Sequence, residues 1–160
     1  MGVDFGLKRI GLAVSDETRL LARAWQTMPA AANPQASARA LGALLSRARQ
    51  AGDERAATIG SIVVGLPRRL NGEDNTLSQP ARAFAAALAD VTGLPVSLQD
   101  ERLSSREAES QLAVREKDWR RRKALLDAAA AAVILQDFLD ANGARMPLSS
   151  ADNDSEVSDT

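Results

Sequence analysis

Residues 2 to 15 (GVDFGLKRIGLAVS) open the chain with an alternation: Ile10, Leu12 and Val14 interleave with Gly11, Ala13 and Ser15. A period of two marks a half-buried strand, and the break around Gly6 to Lys8 suits a tight connection from a first strand. The segment therefore predicts a hairpin with small residues along one face. Leu20 to Met28 is a weaker strand candidate. Asn33 and Pro34 then supply a cap and a first-turn proline for a helix running to about Ala51, with Leu41, Leu44 and Leu45 as its apolar stripe and Gly52 just past its end. Ile59 to Leu66 (IGSIVVGL), closed by Pro67, is the short β-branched run of a strand covered on both faces. Phe84 and Leu88 place a helix over about Ser78 to Val91, ended by Gly93-Leu94-Pro95, and Pro95 to Gln99 reads as another strand. Ser104 and Glu107 have capping-box spacing for a further helix, and a last helix spans about Lys123 to Ala141, stopping at Asn142-Gly143.

That order predicts a mixed sheet with helices packed against it. Neither a repeat nor a linker interrupts it, and 160 residues are the size of one compact domain. The domain is expected over 1–146, followed by an acidic tail over 147–160 that is small-residue rich and expected to be disordered.

Composition removes chemistry rather than adding it. The chain has no Cys, His or Tyr, which excludes thiolate and imidazole nucleophiles, Cys/His zinc sites and tyrosine-linked intermediates. Carboxylates, Lys, Arg, Ser and Thr are left. A lack of disulfides suits a reducing compartment. The apolar run Ala128 to Leu135 falls far short of the roughly 18 residues a membrane span needs, and the N-terminus shows neither a signal-peptide nor a myristoylation pattern. Net charge is −1, but Asp152, Asp154, Glu156 and Asp159 sit in the last ten residues, so the rest carries 17 acids against 20 bases. Such a body can meet a polyanion if its bases cluster.

Three acids lie where burial would ordinarily exclude them. Asp4 stands in the first strand between Gly2 and Gly6, whose missing side chains would leave open space on its face; bonding to backbone amides near a hairpin is an equal reading. Asp100-Glu101-Arg102 leaves the carboxyl end of a strand, where open α/β sheets gather ligands, although an acid paired with Arg102 would also suit a strand exit. Asp127 shares a helix face with Ala130, Ala131, Ile134 and Phe138, so it needs a bound cation or a partner such as Arg102 or Lys123. Together the three can converge on divalent ions, since hard cations prefer oxygen ligands.

Bases flank this set. Lys8 and Arg9 follow Asp4, Arg68 and Arg69 follow the Leu66-Pro67 strand exit, and 115–123 (REKDWRRRK) holds six bases, among them Arg120, Arg121, Arg122 and Lys123, against two acids. They read either as a phosphate track or as solvated faces. Trp119 suits base stacking or anchoring of its helix. Five aromatics in all make a stacking platform a poor fit, so contacts to backbone and shape are expected. Neither G-x-G-x-x-G nor a P-loop is present.

The blocks GVDFGLKRIGLAVSD, IVVGLPRRLNG, LQDERLSSREAE and RRRKALLDAAAAAVILQDFL, in this order from Gly2 to Leu139, resemble the YqgF/RuvX family. These are Holliday-junction-resolvase-like proteins also linked to maturation of pre-16S ribosomal RNA. The resemblance implies an α/β, ribonuclease-H-like fold with a five-stranded mixed sheet flanked by helices. It implies a nuclease using Mg²⁺ or Mn²⁺ to hydrolyse phosphodiester bonds in structured RNA or branched DNA, foremost at the 5′ end of pre-16S ribosomal RNA. It places the catalytic, metal-binding acids on Asp4, Glu101 and Asp127, with Asp100 competing for the second position and Asp4 bridging two ions. Gly65 to Pro67 and Lys8-Arg9 would face substrate, and Arg102 would help neutralise its phosphates. A bacterial, cytoplasmic protein, monomer or homodimer, is implied. The chain departs from the family in starting its first strand at Met1, where several residues usually precede, and in carrying Ser105 for the usual Thr. A Holliday-junction endonuclease and a non-catalytic nucleic-acid-binding module are the competing readings. An ATPase lobe of the sugar-kinase kind would need a second lobe, for which the length does not suffice.

Overall fold

The computed structural model describes residues 1–101 and 118–143. Its five strands are β1 (Gly2–Phe5), β2 (Arg9–Ser15), β3 (Ala22–Pro29), β4 (Ile62–Pro67) and β5 (Val96–Glu101). They form one sheet in the order β3-β2-β1-β4-β5. The β1/β2 and β2/β3 pairs are antiparallel, whereas β1/β4 and β4/β5 are parallel. The helices are α1 (Pro34–Gln50), the single turn α2 (Glu54–Ala57), α3 (Ser78–Thr92) and α4 (Trp119–Gly143).

Alternation along the strands gives the sheet two unlike faces. Val3 and Phe5, Ile10 and Leu12, and Ile62 and Val64 turn one way into a core with Leu41 and Leu45 of α1 and Phe84 and Leu88 of α3. Phe5 and Phe84 stack there with ring centroids 4.7 Å apart. Among the described residues the other face is thin: Ala13 and Val63 meet Ala131, Ile134 and Leu135 of α4 in their buried cluster. Small residues on this face bring α4 close to the strands. Gln136 ties it to the sheet edge, its Oε1 accepting from the Ala22 amide and its Nε2 donating to the Leu20 carbonyl, both at 2.9 Å.

Local signals account for the element ends. Asn33 Oδ1 accepts from the Ala36 amide at 2.8 Å and caps α1. Gly93, at φ +67°, closes α3 in a conformation that a side chain would resist. The fully buried Ser78 donates from its hydroxyl to the Pro67 carbonyl at 2.5 Å, joining the start of α3 to the end of β4.

Several expectations shift. β4 begins at Ile62 rather than Ile59, because a turn of helix capped by Asp53 precedes it. β5 continues past Gln99 to Glu101, paired along β4 as far as Pro67. α4 starts at Trp119, so Arg120 to Lys123 lie on the helix itself. The space expected beside Asp4 at Gly2 and Gly6 does not exist. A Cβ on Gly2 would stand 2.6 Å from Leu135 Cβ, and one on Gly6 would stand 2.5 Å from the Arg9 carbonyl oxygen. Those glycines seat α4 and close the hairpin. Arg102, the helix expected from Ser104 and the acidic tail fall outside the described residues. Among the described residues, no helix is long and apolar enough to cross a membrane.

Candidate active site

Asp4 lies on the thin face of β1, and glycines flank it across the sheet. On β2 its register partner is Gly11. On β4 the pairing Val3 to Val64, continued by one residue, brings Gly65 level with it. Each glycine admits part of another acid. A Cβ on Gly11 would land on the backbone carbonyl of Asp127, so the bare position lets α4 seat Asp127 against β2. A Cβ on Gly65 would stand 2.6 Å from Glu101 Oε2 and 2.6 Å from Ile134 Cδ1, so the Glu101 carboxylate lies over β4 in the room left there. Acids from β1, β5 and α4 thus meet on one side of the sheet.

Their charges act on one another. Burial, and then the facing carboxylates of Glu101 and Asp127, push the Asp4 carboxyl up to about 8. Arg9 supplies positive charge: its Nε donates to Asp127 Oδ2 at 2.7 Å, the two side chains being 29% and 26% exposed. From the sequence, Arg102 or Lys123 is the expected partner of Asp127, and Arg9 is expected at phosphate. Residues 118 positions apart leave no local signal of pairing. The part Gly11 and Gly65 play in seating the acids is likewise not legible there, because cross-strand neighbours become visible only with the register.

Asp100 follows a different course. Adjacent strand residues point to opposite faces, so it turns away from the side that Glu101 takes. Its Oδ1 is 3.4 Å from Arg68 Nε, an ion pair without hydrogen-bond geometry, and Arg68 Nε also lies 3.9 Å from Asp74 Oδ1. Arg82 grips Asp74 through two nitrogens, at 2.5 and 3.0 Å. Arg68 is therefore held within an acid network at the exit of β4, while Arg69 beside it is exposed. Lys8 is exposed on the β1–β2 turn; Arg120, Arg121 and Lys123 are exposed, and Arg122 partly so, in the first turns of α4 ahead of Asp127. The α4 bases share a helix with Asp127, and Lys8 lies on the turn that follows β1, the strand of Asp4.

The oxygen-only donor set suits a hard divalent cation, and the strain on Asp4 marks a place where added positive charge is favoured. Among the described residues, no three acids stand as a ready-made cage for an ion. Asp4, Glu101 and Asp127 are each partly exposed. A cleft of about 580 Å³ lies at the other end of the strands, lined by Met1, Ser15, Asp16, Arg19, Arg55 and Ser61 among others, and contains none of them.

Comparison with known proteins bears on this arrangement. The family described as "RuvX: Holliday junction resolvase" matches residues 1–141. A protein of Pelotomaculum thermopropionicum named "Putative pre-16S rRNA nuclease" is 41% identical over 143 residues, covering 89% of this chain and 87% of its own length. One of Anaeromyxobacter sp. strain K, of the same name, is 44% identical over 140 residues, covering 88% and 95%. Among solved structures, T. thermophilus RuvC in complex with Holliday junction substrate superposes with a TM-score of 0.51 at 20% identity, over 90% of this chain and 94% of that one. The fold is ribonuclease-H-like.

Proposed function

The chain belongs to the RuvX family, and on that basis we propose that it is a metal-dependent nuclease that hydrolyses phosphodiester bonds at Asp4, Glu101 and Asp127. The observation that carries this reading is the meeting of three acids from β1, β5 and α4, with the Asp4 carboxyl driven up to about 8 by burial and by the other two.

Asp4, Glu101 and Asp127 would hold Mg²⁺ or Mn²⁺. Bound there, such ions supply an activated water and neutralise the charge that develops on the leaving oxygen. The chain's own part is to fix the three acids: Gly11 sets the height of Asp127, Gly65 makes room for Glu101, and β1 holds Asp4 between them. Lys8 and Arg69, exposed on the turns leaving β1 and β4, are placed to take phosphates on either side, and the bases at the start of α4 extend that surface. Contacts of this kind grip backbone and shape rather than base sequence.

The names of the curated relatives favour pre-16S ribosomal RNA as the substrate. Such a substrate would place the protein in the cytoplasm. The family description and the RuvC likeness favour a second reading, a four-way DNA junction cut by a symmetric dimer. End-labelled precursor RNA and a four-way junction, each incubated with Mg²⁺ or Mn²⁺, separate the two. The expected result is metal-dependent cutting of the RNA with the junction left intact. Cutting of the junction alone, with a dimer in sedimentation, would establish the second reading.

A further inference from the structure

We infer that Arg9 is an internal counter-ion which a divalent cation must displace from Asp127, and that the freed guanidinium then takes a substrate phosphate. Metal binding and nucleic-acid binding would therefore reinforce each other. The inference rests on the proposed reading of Asp127 as a metal ligand.

The pair has unequal mobility built into it. β2 presents Arg9 and Gly11 on the same face, two residues apart. Gly11 receives the Asp127 backbone so closely that a Cβ there would collide with the carbonyl oxygen, which fixes where Asp127 stands. Arg9, by contrast, reaches Asp127 Oδ2 through a long side chain, Nε at 2.7 Å, and the pair is only partly shielded. If the two separate, the arginine is the partner able to leave.

Charge gives it a reason to leave. A guanidinium has five donors and no acceptor, so while it holds Oδ2 it occupies a carboxylate oxygen a cation would need and repels that cation. The acids of β1, β5 and α4 that meet here outnumber the one arginine paired among them. A divalent ion carries twice the charge to the same place. Once displaced, Arg9 stands at the start of β2 beside exposed Lys8, where the two bases make a clamp for phosphate oxygens. Linkage is reciprocal: if metal releases Arg9 for phosphate, phosphate holding Arg9 must strengthen metal binding by the same factor.

The test uses the full chain and two binding readouts. Mn²⁺ affinity without nucleic acid is measured by calorimetry for wild type, Arg9→Gln, Lys8→Gln and Asp127→Asn. Affinity for a labelled structured RNA is then measured with and without Ca²⁺, RNA integrity being checked on a gel and folding by circular dichroism. Arg9→Gln should bind Mn²⁺ about ten-fold more tightly than wild type, within the usual range of coupling between sites. It should also lose the gain in RNA affinity that Ca²⁺ confers on wild type. Lys8→Gln removes one charge from the same hairpin and should leave Mn²⁺ affinity within about two-fold, since an exposed charge is largely screened. Equal or weaker Mn²⁺ binding by folded Arg9→Gln, or an equal gain in Lys8→Gln, would overturn the inference. Mn²⁺ binding that Asp127→Asn leaves unchanged would instead overturn Asp127 as a ligand, and the inference with it.

Discussion

Burial and the facing carboxylates of Glu101 and Asp127 push the Asp4 carboxyl up to about 8, well above its ordinary 3.8. Between those values the folded chain keeps a proton that the unfolded chain has released. Stability contributed by Asp4 is therefore lost as pH rises from about 4 to about 8, and below 3.8 both states are protonated and the contribution is flat. Asp4→Asn removes the charge and keeps the shape. Without divalent cations it should melt several degrees above wild type at pH 8, with the difference vanishing near pH 4, as followed by thermal denaturation. An equal melting difference at both pH values would mean that burial of charge is not what strains Asp4.

At the scale of elements, the close seat of α4 on β2 is what brings Asp127 to Asp4. Gly11→Ala must push the helix off the strand or bend it, and about 1–3 kcal/mol of destabilisation is expected from urea unfolding, as for overpacked cores. Gly60→Ala is the control: nothing lies within 4 Å of its Cβ position, so its unfolding midpoint should barely move. Asn33→Ala removes the cap that binds the Ala36 amide and should cost about 1 kcal/mol. Legibility divides along the same line. Asn33-Pro34, Gly93, the Ile10-Leu12-Val14 alternation and the apolar face around Asp127 are local signals, and each placed its element correctly. α4 starts four residues before the expected Lys123, because a run of like charges carries no apolar period, and α2 is too short to have one. The three acids can be named from the sequence, but not the role of Gly11 and Gly65, which join them. Their part depends on register, as the Arg9–Asp127 pair depends on contact across 118 residues.

The whole molecule separates stability from chemistry by the two faces of its sheet. Large side chains with α1 and α3 form the main core on one, while on the other glycines and alanines let α4 carry a carboxylate to the strands. Exposed bases on the turns after β1 and β4 and along the start of α4 flank this acidic centre with positive charge. A polyanion suits such a surface. The most direct test is cleavage of structured RNA in Mg²⁺ or Mn²⁺ by wild type and by Asp4→Asn, Glu101→Gln and Asp127→Asn, each verified as folded by circular dichroism. The account predicts cutting by wild type that EDTA abolishes and that each single variant reduces to background. Cutting at the wild-type rate by any folded variant would contradict the role given to that acid, and cutting by all three would remove the site.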